Sequence, residues 1–167
     1  MPQQAGSSLS CQTLVISRNS ESLASEPTIR PYHSSDHPDV VFLWSEVFPN
    51  EPAWNDAALI IQRKLAVQPD LFLVALSNKT KVVGTVIAGY DGVRGWVHHL
   101  AVHPASRRKG VGRALMLAAE SALENLGCPK LNLQVRATNS AAVSFYRSLG
   151  YTIEDRTSLG KRLEQAN

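Results

Sequence analysis

At 167 residues, with 44% hydrophobic and 19% charged residues, the chain has the size and composition of one globular domain and is too short for two of ordinary size. Its net charge of +3 comes from 17 basic against 14 acidic residues, a near balance that excludes a surface built as a whole to hold nucleic acid. Two cysteines, Cys11 and Cys128, are too few for a disulfide framework or a metal cluster, and no apolar run approaches the roughly 18 residues of a membrane span. The expectations are a reducing, cytoplasmic setting and no metal, membrane or nucleic-acid partner.

Residues 1–26, "MPQQAGSSLSCQTLVISRNSESLASE", lack a basic start and a long apolar segment, so they read as a disordered tail rather than a secretory signal. Their Ser and Gln content, with no acid before Glu21, also suits an organelle transit peptide. A single domain then spans 27–167. "TIRPY" from Thr28 is a short strand, and Asp36 is placed to cap a helix through "DVVFLWSEVF", which ends before Pro49. Asn55 or Asp56 opens a second helix, through "ALIIQRKLAV" to the break at Pro69. "LFLVALS" (71–77) and "KVVGTVIAGY" (81–90) are apolar, β-branched strands joined by Asn78-Lys79-Thr80 as a hairpin. "WVHHLAV" (96–102) is a third strand, reached through the turn 91–95.

A long helix follows from Gly110 to Leu126, with Val111, Leu115, Ala118, Ala122 and Leu126 expected on its apolar face. "LNLQV" (131–135) alternates as a strand. Asn139 caps "SAAVSFYRSLG", whose Ala142, Phe145 and Leu149 share a face and whose Gly150 supplies the stop. "YTIED" and "TSLGKRL" are read as two closing strands.

The chemistry concentrates in "HHLAVHPASRRKGVGRALM", where Arg107, Arg108, Lys109 and Arg113 bring four positive charges to a strand-to-helix turn with no acid among them. The first amides of a helix have no internal partner and its dipole favours an anion there, so such a turn is suited to phosphate. Gly110 and Gly112 remove side chains that would hold a phosphate off the backbone. A dinucleotide-binding loop would want a third glycine where Leu115 stands, and a P-loop would want Gly-Lys-Ser/Thr where the chain has Gly112-Arg113-Ala114. The remaining alternative at this point is a helix start with solvated basic residues.

Two motifs together narrow the choice. Arg107-Arg108-Lys109-Gly110-Val111-Gly112 has the form Arg/Gln-x-x-Gly-x-Gly/Ala, and after a helix and a strand come Asn139, Phe145-Tyr146 and Leu149-Gly150-Tyr151. Over Thr28 to Leu163 this resembles the GNAT superfamily of N-acetyltransferases, and "DGVRGWVHHLAVHP" with the ending "SLGKRL" is most similar to its bacterial YpeA group, with the ribosomal-protein alanine acetyltransferases as relatives. The resemblance implies an α+β fold: a mostly antiparallel twisted sheet of about six to seven strands flanked by about four helices, splayed at an acetyl-CoA site.

The resemblance further implies that the pyrophosphate of acetyl-CoA sits on the amides of Arg108 to Arg113, including Lys109, Gly110, Val111 and Gly112, with Arg107 nearby. It places the pantetheine arm along Leu100, Ala101 and Val102, with the Leu100 N–H polarising the thioester carbonyl. Tyr146 matches the family's general acid for the leaving thiolate, and Asn139 both a cap and a coenzyme contact. Transfer is direct, since neither cysteine falls in a motif.

The general base is open. The relatives carry a glutamate before the third strand where this chain has Arg94-Gly95-Trp96, which leaves His98 or His99, Glu46, Asp91 or no base at all. As strand neighbours, His98 and His99 are expected on opposite faces, so that only one reaches the site. The acceptor side offers Trp44, Glu46, Phe48, Glu51, Trp54 and Asp56, either a set able to receive a cation or solvated helix surface with buried tryptophans. The acceptor is expected to be an amine on a small molecule, peptide or protein N-terminus, handled by a monomer or homodimer, the alternative being a catalytically weak acyl-CoA-binding regulatory module.

Overall fold

The structure, a computed structural model, describes residues 26–163. The expected tail, with Cys11, lies outside the described residues except for Glu26. The elements in chain order are β1 (Thr28–Pro31), α1 (His37–Val47), α2 (Ala57–Ala66), β2 (Phe72–Ser77), β3 (Lys81–Tyr90), β4 (Gly95–Val102), α3 (Val111–Asn125), β5 (Leu131–Leu133) and α4 (Ser140–Ser148). The sheet runs β1-β2-β3-β4-β5, antiparallel through β4 and parallel between β4 and β5. The β2–β3 connection, three residues between the paired Ser77 and Lys81, turns tightly because Asn78 and Lys79 both take left-handed backbone, φ 51° and 65°, the hand that matches the twist of the flanking strands.

Both faces of the sheet are covered, which explains why β2 and β3 read as largely apolar runs without a polar face. On one face Leu73, Ala75, Val83, Val86, Ala88 and Val97 meet Val111, Leu115, Met116, Ala119 and Leu123 of α3. On the other, Phe72, Val74, Leu76, Val82, Ile87 and Ala101 meet Val40, Leu43 and Trp44 of α1 and Ile61 of α2. At Gly84 a Cβ would stand 2.9 Å from Leu115, 3.0 Å from Val111 and 3.0 Å from the Ala101 carbonyl, so α3 lies directly on the backbone of β3 there.

Three local expectations are corrected. Asp36 sits at the N-cap of α1, yet its carboxylate does not cap that helix. It accepts from Arg30 Nη1 and Nη2 at 2.7 and 2.8 Å and from the His33 amide at 2.8 Å. Asp36 has helical backbone, φ −81° and ψ −10°, rather than the extended conformation from which an N-cap side chain reaches the first amides, and Pro38 at the second position has no N–H. The carboxylate is instead taken by the guanidinium, whose hydrogen bonds hold it below the usual carboxylate range. The fully buried stripe of α3 runs through Met116, Ala119 and Leu123; Ala118 and Ala122 pack beside it only partly buried, and Leu126 is 52% exposed. Leu123 is the residue that packs at Gly95, where a Cβ would lie 3.1 Å from it and 2.8 Å from Cys128 Sγ.

The third correction concerns the sheet. The described residues form five strands, fewer than the expected six to seven, and β5 stops at Leu133. Residues 152–163 form neither of the two closing strands. The segment touches β5's surroundings through side chains instead, Lys130 with Glu154 and Gln134 with Ser158. Ile153, Leu159 and Leu163 are 67%, 91% and 85% exposed, so it buries too little apolar surface to fix a ladder register.

Candidate active site

The site grows from an irregularity in β4. Ile87 pairs with His98 and Thr85 with Ala101, so His99 and Leu100 together oppose Val86 alone, and His99 takes φ 49°. This is a β-bulge, an extra residue that re-aims the side chains around it. His98 shares the face of its partner Ile87. His99 turns to that face too, its ring 4.8 Å from Trp44 and 5.5 Å, edge-on, from Phe48. The expectation that the two histidines point to opposite faces is therefore wrong: the bulge breaks the period of two, and both lie on the side of α1 and α2.

Thr85, fully buried, holds the bulge in place. Its hydroxyl accepts from Trp44 Nε1 at 2.8 Å and donates to the His99 carbonyl at 3.2 Å. It interrupts the apolar run of β3, and that interruption was the available sequence signal for it.

Beyond Val97 the outer edge of β4 has no strand beside it among the described residues, because the β5 pairing ends at Val97 with Leu133. The His103 amide donates to the Val83 carbonyl at 2.9 Å. Alternation from there places the Ala101 amide toward β3 and those of Leu100 and Val102 on the outer edge. Arg107 Nε donates to the Val102 carbonyl at 3.1 Å.

The loop then turns through left-handed residues at Arg108 (φ 62°) and Gly110 (φ 80°), the N-cap of α3. The first intrahelical hydrogen bond is Ala114 to Gly110, so the amides of Val111, Gly112 and Arg113 are free of helix partners. Arg107, Arg108, Lys109 and Arg113 are all exposed, and none has an acidic partner among the described residues. Gly112 serves packing as well: a Cβ there would lie 3.3 Å from Phe145 and 3.6 Å from Val102. Loop, strand edge and α4 thus converge at one point.

On α4, Asn139 Oδ1 accepts from the Ala142 amide at 3.0 Å and is the expected cap. Tyr146 packs edge-on against Phe145 at 5.1 Å and against Tyr151 at 5.7 Å. Burial pushes its phenol up to about 12, so it is protonated at neutral pH. Tyr151 donates to Glu120 at 2.6 Å, which fixes the ring behind it.

On the α1 side of β4, His99 Nδ1 is buried without a partner. Burial and the neighbouring His98 hold this imidazole below its ordinary value, with Glu51 opposing them. His98 is lowered by partial burial and by Lys64, itself pushed down to about 8 by burial, whose Nζ donates to the Ala88 carbonyl at 2.6 Å. Asp91 is committed to the β3–β4 turn, accepting from the amides of Val93 and Arg94 at 2.8 and 2.7 Å, and Glu46 is exposed on α1. Asp56 caps α2 through the Leu59 amide. Glu51 binds Arg136 and Asn55, each at 2.5 Å. Arg136, Lys64 and Thr85 are the residues that motif reasoning missed.

The lowered histidines set a pH dependence. The unfolded imidazoles protonate near pH 6.5, and the folded ones only at lower pH, so below about 6.5 the unfolded chain binds more protons and stability falls. We expect the melting temperature to decline as pH is lowered through that range, and His99→Asn, which tolerates left-handed backbone, to flatten the decline. An equally steep decline in the variant would exclude His99 as its source.

Among the described residues no helix is long and apolar enough to cross a membrane, and no group of three or more His, Cys, Asp or Glu is arranged to hold a metal. Comparison with known proteins agrees with the geometry. An acetyltransferase of Yersinia pestis (strain Pestoides F) is 44% identical over 135 residues, covering 81% of this chain and 94% of its own. Ard1 from Thermoplasma volcanium superposes with a TM-score of 0.67 at 27% identity, over 77% of this chain and 84% of that one. The ribosomal-protein-S18-alanine N-acetyltransferase from Escherichia coli gives 0.62 at 26%, over 74% and 76%. The profile described as "Acetyltransferase (GNAT) family" matches residues 32–151, the stretch that holds the bulged strand, the basic glycine turn and α4, and the chain belongs to that family.

Proposed function

We propose that the protein transfers an acetyl group from acetyl-CoA directly to a primary amine, on a small molecule or on a peptide or protein N-terminus. One observation carries the reading: the free edge of β4, the unpartnered amides and cations at the start of α3, and the Phe145 ring of α4 meet around Gly112, and the protonated phenol of Tyr146 is the next residue of α4, packed on Phe145. A phosphate-bearing thioester needs those three groups in that neighbourhood. Relatives named acetyltransferase or N-acetyltransferase at 44% identity support the enzyme class. The YpeA-like stretches at 91–104 and 158–163 point to that group within the family.

In this reading the amides from Arg108 to Arg113, with the basic side chains of the loop, hold the pyrophosphate. The outward groups of Leu100 and Val102 pair with the pantetheine amides, and Asn139 stands at the neighbouring helix start. The Leu100 N–H stabilises the oxyanion that forms when the neutral amine attacks the thioester carbon. As the new N–C bond forms, the C–S bond breaks and the thiolate takes the proton of Tyr146. The surplus proton of the nitrogen passes to His99, kept neutral by burial, or to water where the amine has a pKa near 8, as a chain N-terminus does.

The test is coenzyme A release from acetyl-CoA against three pools: peptides with varied N-termini, N-blocked peptides carrying lysine, and small amines, each against a no-amine blank. Release confined to one pool names the acceptor class. Calorimetric binding of acetyl-CoA with no release above the blank in any pool would replace the enzyme by an acyl-CoA-binding regulatory module.

A further inference from the structure

Resting on that reading, we propose that the acceptor carries a second cationic group, a guanidinium or ammonium, and that Glu51 and the Trp54 indole receive it in place of the chain's own Arg136 and Arg162. Glu51 and Trp54 lie on the connection between α1 and α2. The carboxylate is within electrostatic reach of His99, and Phe48, three residues before it, is in edge contact with that ring. An amine reacting at the bulge therefore has this connection beside it.

Both groups already hold guanidinium. Arg136, 85 residues away in sequence and just past the point where β5 leaves β4, donates to Glu51 Oε1 at 2.5 Å. Arg162 lies over the Trp54 ring, 4.1 Å from its centroid. Neither arginine is in the core: the Arg136 side chain is 72% exposed, and Arg162 belongs to the exposed closing segment. Exposed ion pairs of this kind add little to stability, so the contacts show what the receiving groups bind rather than what the fold requires.

The receiving groups, by contrast, are held. Glu51 is only 21% exposed, and its second oxygen accepts from Asn55 Nδ2 at 2.5 Å, which fixes the carboxylate plane. Asn55 follows Trp54 directly in the same short turn. A fixed carboxylate and an indole on the same short connection, the indole already holding a guanidinium, suit an organic cation through charge-assisted hydrogen bonds and cation–π attraction. Arg162, tethered to the same chain, competes at high effective concentration.

The experiment compares 1,5-diaminopentane with n-pentylamine as acceptors for the full chain, by coenzyme A release, together with calorimetric binding of the diamine in the presence of coenzyme A. Trp54→Ala is expected to raise the diamine-to-monoamine KM ratio about two- to fivefold, and Arg162→Ala to lower it by a similar factor. Glu51→Gln raises it about tenfold or more. Trp54→Phe, which keeps an aromatic face, restores most of the ratio, and melting temperatures confirm that the variants are folded.

Opposite shifts from Trp54→Ala and Arg162→Ala support the proposal, because a purely structural latch would move both variants the same way. Equal KM values for the two amines in the wild type, or a ratio that neither variant moves, would overturn it. Turnover of both amines without discrimination would leave the acetyltransfer reading standing and remove this one. Absence of turnover with diamine binding weakened by Trp54→Ala would do the reverse, and absence of diamine binding as well would end both.

Discussion

Replacing Tyr146 by phenylalanine is expected to lower kcat by about 10²- to 10⁴-fold, the range that a positioned general acid contributes, with KM for acetyl-CoA little changed. The ring of Tyr146 packs between Phe145 and Tyr151 on the core side of α4, and phenylalanine keeps that packing. Only the hydroxyl is lost, so a fall in kcat separates proton donation from support of the fold. Burial pushes the phenol up to about 12, which keeps the donor form throughout the neutral range. The wild type should therefore show no loss of the acid between pH 7 and roughly 9, and any loss at lower pH belongs to a base such as His99. A variant retaining most of its kcat would remove Tyr146 from the chemistry and assign the thiolate's proton to water.

The parts of this site that the sequence showed are those set by nearby residues. The basic glycine turn, the Asn139 cap and the Gly150 stop are local devices, and each is where the chain order places it. The hairpin at Asn78 and Lys79 is local in the same way. What stayed hidden depends on partners far along the chain. His99 carries no glycine signal for its left-handed backbone; the bulge is held by Thr85 and Trp44, contributed by β3 and α1. Glu51 looks like a solvated acid until Arg136 is brought to it across 85 residues. The closing strands were read from alternation alone, which sets a face but supplies no partner. Asp36 shows the opposite failure, a local rule defeated by another local fact, the helical backbone that Asp36 itself takes ahead of α1.

Phe72→Ala is the substitution expected to cost most in stability, about 3–5 kcal/mol. Phe72 is wholly buried, stacked on Tyr32 at 4.7 Å with the rings 5° from parallel, and 5.9 Å from Trp44. Against a total of about 5–15 kcal/mol for a domain, the loss takes about a fifth or more of the folding free energy. At about 2–4 °C per kcal/mol for a chain of this size, the melting temperature should drop by about 6–20 °C. The effect reaches the site through one ring. Trp44 stands on Phe72, donates to Thr85 and supports His99, so the space left by Phe72 lets Trp44 relax away from the bulge. Activity per folded molecule should therefore fall as well, measured at a temperature where the variant is still native. Phe72→Leu fills most of the space and should recover most of both. If Phe72→Ala melts lower while its folded fraction turns over at the wild-type rate, the bulge is held by Thr85 and the β3 pairing alone, and the aromatic stack beneath it supports the core without setting the position of His99.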